Sequence, residues 1–455
     1  METISLALLK KLHQPVPRYT SYPTAVEFKP LAPSIYHKKL SQTNGPFSLY
    51  FHIPFCHAMC LYCACSVILN RKPEKETAYI HYLIKEIDLM ADLLGRQEKV
   101  TQLHFGGGTP TKIHPDLLKK LFTHICNRFE VDFDQEIAIE IDPRTVLENE
   151  GEKLRLLRHL GFNRVSFGVQ DTNVRVQDAI RRRQSYEMTE KTYNLARTLG
   201  FRAINIDLIY GLPYQTEETF DQTITDILCM KPDRIALFSY AKVPWLKPHQ
   251  RAIKSETLPS IEQKFAIYAN ARRRLTQNGY WAMGMDHFAL EDDEMVLAFR
   301  EGRLQRNFQG YTVRLADEML GFGVTSIGCV NNTYVQNTKD LREYYSALDR
   351  KELPIVKGIV MKDDDILRKW IIHQLMCSFT LDKKEVERRF RIDFSTYFAT
   401  SLKFLKPYIA EGFVIDTPHA LSITQKGELF IRNLVLCFDA YSNKSTLTPQ
   451  FSQSI

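Results

Sequence analysis

Between about residues 46 and 240, short apolar segments alternate with helix-like ones, and this alternation restricts the fold more than anything else in the chain. The strand candidates are "PFSLYFHIP", "VTQLHFGGGTPT", "EIAIEIDP", "RVSFGVQD", "AINIDLIYGLP" and "RIALFSYA". Between them lie segments with apolar residues at helical spacing, such as "TAYIHYLIKEIDLMADLL" and "PDLLKKLFTHICNRF". Parallel strands need long crossovers, so six such units in succession predict a parallel sheet with helices on its outside. Several strands read as apolar along both faces, which predicts a filled barrel lumen behind them.

A closed eightfold barrel needs two more units, and none is clear. The expected fold class is therefore α/β, an open, partial (βα)6 barrel. Polar or glycine residues gather at the C-terminal ends of the strands: Gly106 to Thr109, Glu140, Gln170, Asp207 and Tyr240. In parallel α/β folds that end binds ligands.

Around this series the chain divides into residues 1–45, a proline- and tyrosine-rich segment expected to cover the barrel mouth, 46–350, the barrel with a less regular extension, and 351–455. The last part is mainly helical ("DDDILRKWIIHQLMCSF", "LDKKEVERRF", "FSTYFATSLKFLKPYIAEGF"), then a hairpin in "VIDTPHALSITQKG" and a final helix "GELFIRNLVLCF". That order resembles a winged helix, but nothing marks a recognition helix, so no nucleic-acid partner is expected. A net charge of +7 over 455 residues, without a dominant basic tract, agrees with this. The apolar run in "METISLALLKKLH" is too short for a signal peptide, and no stretch approaches the roughly 18 apolar residues that span a bilayer. Nine cysteines, an odd number and mostly isolated, fit a reducing compartment. A cytoplasmic, monomeric protein with no membrane partner is expected.

Four of those cysteines, Cys56, Cys60, Cys63 and Cys65, crowd into "HIPFCHAMCLYCACSV" directly after the first strand. Two metals compete for them. Structural zinc prefers paired CxxC knuckles, and no second pair exists here. A CxxxCxxC loop can instead hold three irons of a 4Fe–4S cube and leave the fourth open.

CxxxCxxC after the first strand, with Tyr62 before its last cysteine and "FGGGTPT" after the second strand, resembles the radical S-adenosylmethionine (SAM) superfamily. The segments "PRYTSYPTAVEF", "YFHIPFCHAMCLYCAC", "HFGGGTPT", "GFNRVSFGVQD", "NIDLIYGLP", "GMDHFA", "RNFQGYT" and "RNLVLCFD" resemble, more narrowly, the oxygen-independent coproporphyrinogen III oxidase family. The resemblance implies an oxidoreductase of heme synthesis. It would convert two propionates of coproporphyrinogen III to vinyls through a 5′-deoxyadenosyl radical. It also implies a 4Fe–4S cluster, SAM in two copies, and an electron-donor protein such as a flavodoxin or ferredoxin.

By the same resemblance Cys56, Cys60 and Cys63 are the cluster ligands and Cys65 is not. Tyr50, Tyr62, Gly107, Gly108, Thr109, Glu140, Gln170, Arg182, Asp207, Ala241 and Ile327 match SAM-contacting positions. The glycines, Gly106 included, suit backbone passing close to a ligand. Glu140 and Asp207 could accept from ribose hydroxyls, Arg182 could pair with a carboxylate, and Gln170 could do either. Arg18, Arg306 and Gln309 are candidates to meet the substrate's propionates. A rival reading is a heme-delivering relative with the same barrel; such relatives usually lack Cys65 and the "PRYTSYPT" segment, both present here.

Overall fold

The structure, a computed structural model, describes residues 4–313, 318–442 and 451–454. The six expected strands are present: β1 (Phe47–Ile53), β2 (Lys99–Gly107), β3 (Glu130–Ile141), β4 (Arg164–Gln170), β5 (Ala203–Tyr210) and β6 (Arg234–Ser239). All are parallel and adjacent in chain order. A seventh parallel strand, β7 (Glu318–Phe322), pairs with the outer side of β1. It is five residues long and lies in the region whose pattern is least regular. Gly321 permits it, because a Cβ there would meet the Ile327 carbonyl at 2.6 Å.

Antiparallel strands extend both edges. Tyr280–Met283 and His287–Leu290 form a hairpin beside β6, while Ile327–Val330, Thr333–Asn337, Ile355–Val360 and Lys29–Pro30 follow β7. Among the described residues the sheet has thirteen strands and stays open, because its outermost strands are Lys29–Pro30 and Tyr280–Met283 rather than a bonded pair.

The helices cover one face. In the longest, Pro73–Leu94, Pro occupies the first turn, Glu74 and Glu76 sit at the positive end, and Gly95 in the left-handed region ends it. Its Tyr79, Ile80, Leu83, Ile87 and Met90, at helical spacing, are buried with Phe51, Phe105, Ile139 and Phe167 in the main core. The opposite face corrects one expectation. The lumen is not filled with apolar side chains. Gln102 and His104 of β2, Glu136 and Glu140 of β3, Arg164 and Ser166 of β4, and Asn205 and Asp207 of β5 project into a cavity. The strands do alternate, with the second period set being polar. Ion pairs occupy the lumen floor: Arg164 with Glu136 at 3.6 Å and with Glu294, and Arg234 with Asp293 at 2.9 Å.

A second core joins the two ends of the chain. Ile4, Leu9, Leu12, Tyr19 and Tyr22 are buried with Leu367, Ile371, Leu375, Phe398, Leu434 and Phe438. Helices Asp363–Ser378, Lys383–Phe390 and Ala399–Ala410 stand with a three-stranded sheet of Thr380–Asp382, Ala420–Ile423 and Val414–Asp416. The expected last helix is interrupted at Phe430 (φ −121°, ψ 21°), splitting into Gln425–Glu428 and Ile431–Val435. Beyond the break, buried Arg432 donates to the carbonyls of Val16 and Pro17, and Asn433 to that of Leu12 at 2.9 Å. Those bonds satisfy backbone that a continuous N-terminal helix would have satisfied itself.

Candidate active site

One cavity of about 650 Å³ opens at the C-terminal ends of the parallel strands. Its wall includes Cys56, Cys60, Cys63, Tyr62, Gly107, Gly108, Thr109, Glu140, Gln170, Arg182 and Asp207 from the SAM and cluster sets, and Arg18, Arg306 and Gln309 from the substrate set. Residues up to 291 positions apart (Arg18 and Gln309) are thus brought onto one surface by the fold.

Three of the expected residues are not in that wall. Tyr50 stands one layer behind it, with its hydroxyl 3.1 Å from His52 Nδ1 and its ring stacked on lining His104. Ala241 is joined to the cysteine loop only indirectly: its carbonyl accepts from Gln250, which also donates to the Tyr62 carbonyl. Ile327 lies on the strand between β7 and Thr333–Asn337, in an apolar cluster with Phe28, Phe308 and Tyr334. A side chain on the strand outside β7 faces that cluster instead of the lumen.

The cysteine loop leaves β1 at Pro54 and returns at Ile68. Its stem is closed by Ile68 N–H on the Pro54 carbonyl (2.7 Å) and Asn70 N–H on that of Cys56 (3.1 Å). Leu61 N–H donates to the Ile180 carbonyl (2.9 Å), tying the loop to the end of helix Val174–Ala179. All four thiols are free. Burial pushes the Cys56 thiol up to about 11, whereas a hydrogen bond from Cys65 holds Cys63 at about 7. Arg182 Nη1 donates to Cys60 Sγ at 3.7 Å, and Thr109 Oγ1 lies 3.5 Å from Cys56 Sγ. Among the described residues no three His, Cys, Asp or Glu side chains converge on a single ion. A four-iron cube, by contrast, takes one thiolate at each of three corners, and three free thiols on one cavity wall with a cation beside them are the donors it needs.

The glycine turn after β2 has a function the sequence reading did not assign to it. Gly108 N–H donates to the Ile53 carbonyl (2.8 Å) and Thr109 N–H to that of Phe55 (2.9 Å). The turn is therefore hydrogen-bonded to the stem of the cysteine loop. Gly107 has φ +121°, and its N–H donates to Glu140 Oε2 at 3.0 Å. Glycine is required by backbone against backbone here as much as by any ligand.

Arg182 is buried by three bonds: Nη1 to Asp142 Oδ2 (3.1 Å) and to Cys60, and Nη2 to the Gly168 carbonyl (2.6 Å). Asp142 also accepts from Arg144 Nε at 2.9 Å. Burial pushes the Asp142 carboxyl up, but Arg182 and Arg144 outweigh it and bring it to about 2. Asp142, next to Glu140 in "EIDP", and His52 and His104 are site residues that the sequence reading missed. Their signal was position, since all lie at or near strand ends already marked. Gln170 has φ +70° at a bulge that ends β4, strained backbone that turns its side chain toward Arg182 and Gly168. On β5, Asp207 accepts from Ser166 (3.1 Å) and Asn205 (2.7 Å), and burial together with Glu140 raises it to about 6.

Across the cavity, Arg18 donates to Asp286 Oδ2 at 3.0 Å, and His287 Nδ1 lies 2.7 Å from the other oxygen. Burial pushes Asp286 up, yet His287, Arg306 and Arg18 hold it well below the carboxylate range. Arg306 lies over the Tyr311 ring at 4.5 Å and donates at 3.4 Å to the Arg18 carbonyl, and its Nε has no hydrogen-bond partner among the described residues. The Gln309 carbonyl oxygen also lacks one.

The family model of the radical SAM superfamily matches residues 50–227, and that of the HemN C-terminal domain matches residues 361–430. The chain is 42% identical over 452 residues to the oxygen-independent coproporphyrinogen III oxidase of Salmonella typhimurium, covering 99% of this chain and 98% of that one. It is 41% identical over 459 residues to the enzyme of that name from Synechocystis, with 99% and 98% covered. The solved structure described as coproporphyrinogen III oxidase (HemN) from Escherichia coli, a radical SAM enzyme, superposes with a TM-score of 0.91 at 41% identity, covering 96% of this chain and 99% of that one.

Proposed function

Because the chain belongs to the oxygen-independent coproporphyrinogen III oxidase family of the radical SAM superfamily, we propose that its cavity converts two propionates of coproporphyrinogen III to vinyls. The observation that carries the reading is the meeting, on one wall, of three free thiols, the glycine turn and the Arg182–Asp142 pair, opposite a cation with an unpartnered donor. When bound, a 4Fe–4S cluster and SAM supply the 5′-deoxyadenosyl radical that removes a hydrogen from a propionate arm.

The chain's own residues hold, orient and exclude. Cys56, Cys60 and Cys63 would ligate three irons. Arg182, fixed by Asp142, would pair with the SAM carboxylate, and Asp207 and Glu140 would offer acceptors to its hydroxyl and amino groups. Gln170, Tyr62 and the glycine turn bound the same space, with Tyr50 behind it; a second SAM would draw on the same set. Arg306 Nε and Gln309 would take propionate oxygens, with Arg18 beside them, while Tyr311 and Phe308 shield that side from water. The free thiols support a cytoplasmic site of action, and none of the described helices is long and apolar enough to cross a membrane. We read the chain as a monomer reduced by a flavodoxin- or ferredoxin-like protein and divided at residues 1–45, 46–350 and 351–455. Relatives of the oxidase name over nearly the whole chain favour this over heme delivery.

The test is an anaerobic incubation of reconstituted protein with coproporphyrinogen III, SAM and a strong reductant. Vinyl products with 5′-deoxyadenosine are expected, and Arg306→Met should raise the substrate KM by about tenfold, the worth of one charge-assisted bond. Protein that cleaves SAM, forms no vinyl product and takes up heme stoichiometrically would overturn the reading.

A further inference from the structure

The outer side of the cysteine loop is held by residues 241–258, of which only Ala241 entered the sequence reading. Its sequence "AKVPWLKPHQRAIKSE" carries Lys242, Lys247, His249, Arg251 and Lys254 before its first acidic residue, Glu256. Ile253 shares an apolar cluster with Leu61, Val176 and Ile180, which seats the segment on the loop. Three polar side chains then reach the carbonyls of consecutive parts of that loop. Gln250 donates to Tyr62 O at 2.9 Å, His249 Nε2 lies 2.8 Å from Cys63 O, and Lys247 Nζ donates to Cys65 O at 2.7 Å.

The outward side is unlike an ordinary solvated loop. Trp245 is 43% exposed and Leu246 61%, next to exposed Pro248, Arg251 and Lys254. Ala64 is exposed beside them, and Cys65, whose carbonyl Lys247 holds, is exposed as well while also lining the cavity. Among the described residues, Lys247, Arg251 and Lys254 form no ion pair with a carboxylate. An uncovered tryptophan and leucine ringed by unpaired cations have the composition of a protein interface, with an aromatic centre and a charged rim. The rim is cationic, so its complement is acidic.

We propose that this face docks an acidic one-electron carrier protein, containing a reduced flavin or iron–sulfur group, which passes its electron inward at Ala64–Cys65. The proposal rests on the radical reading above, which consumes one electron for each SAM cleaved and names the kind of carrier but not where it docks. In the transfer the carrier is oxidised by one electron and the cluster reduced by one; no bond forms or breaks between the proteins. Trp245, Leu246, Arg251 and Lys254 are not in the cavity wall, so a carrier on this face leaves the side of the cavity lined by Arg18 and Thr20 free for substrate.

The test uses Arg251→Glu/Lys254→Glu, two exposed residues that touch neither the loop nor the cavity wall. Reconstituted wild type and variant are titrated with a reduced flavodoxin, reading its dissociation constant, and 5′-deoxyadenosine formation is followed with either flavodoxin or dithionite. Both the dissociation constant and the half-saturating flavodoxin concentration should rise by about tenfold or more at low salt. The gap should close as salt is raised, and the dithionite-driven rate should be unchanged. Equal flavodoxin binding by wild type and variant would overturn the proposal, as would a parallel fall in the dithionite rate. So would a wild type that binds anionic vesicles in place of flavodoxin. Wild type that makes no 5′-deoxyadenosine with dithionite would sink the functional reading, and the binding titration would still decide the docking face.

Discussion

Replacing Gly108 by alanine should damage the iron site without touching a ligand. The residue has an ordinary φ, so the cost is contact, not backbone strain. A Cβ built there lies 2.7 Å from both the carbonyl carbon and the oxygen of Pro54 and 2.9 Å from the Phe55 oxygen. The first contact is 0.7 Å inside the 3.4 Å at which ordinary contact begins. The obstructing atoms are backbone and cannot rotate away. Nor can they shift freely, because the Pro54 carbonyl accepts from Ile68 N–H, which closes the loop stem, and the Phe55 carbonyl from Thr109 N–H, which ties the glycine turn to it. Overpacking costs about 1–3 kcal/mol, and with only backbone to yield the upper end, about 3 kcal/mol, applies. Gly106 is the control. Its Cβ would meet Glu140 Oε1 at 2.9 Å and Tyr50 Cε2 at 3.1 Å, side chains able to turn aside, so Gly106→Ala should cost about 1 kcal/mol or less. Gly107→Ala falls between, at about 2 kcal/mol, from its φ of +121°. Iron and sulfide per chain after reconstitution, and urea unfolding, should rank the variants with Gly108→Ala worst and Gly106→Ala close to wild type. Full iron and unchanged stability in Gly108→Ala, or Gly106→Ala as the worst of the three, would refute the packing argument.

Alanine at Cys56, Cys60 or Cys63 should abolish the visible absorbance of a 4Fe–4S cluster while Cys65→Ala retains full iron; loss in Cys65→Ala equal to the others would make it a ligand. Asp142→Asn removes the carboxylate that holds Arg182 at 3.1 Å, and should weaken SAM binding by about tenfold, read by anaerobic calorimetry. An unchanged dissociation constant would show that Arg182 does not need its partner. Asp207 is raised to about 6 from 3.8, so the folded chain holds that proton where the unfolded chain has lost it. This contribution to stability is present at low pH and disappears as pH rises through 6. Wild type should lose roughly 1.4 kcal/mol between pH 5 and 7 that Asp207→Asn does not, and parallel urea profiles for the two would contradict the assignment.

The alternation of apolar strands and helical segments was enough to read the six parallel strands, their order and the end of the sheet that binds, because local periodicity and the length of crossovers are properties of the chain itself. The crowding of Cys56, Cys60 and Cys63 was equally legible, since ligands supplied by one loop need no fold to bring them together. What adjoins that loop was not. Glu318–Phe322 became a parallel strand only because β1 was there to pair with it and Gly321 let the next strand close in. Asp142 reads as one carboxylate among many until Arg182, forty residues later, arrives at its side. Ile327 lies close in sequence to β7, yet the antiparallel strand that pairs with β7 packs it into an apolar cluster outside the cavity wall. The glycine turn was visible as a turn, but its hydrogen bonds to Ile53 and Phe55, and the hold of Lys247, His249 and Gln250 on the loop carbonyls, join segments far apart in sequence. Distances of that kind are set by the register of strands and the packing of helices on them, and so by the tertiary structure alone.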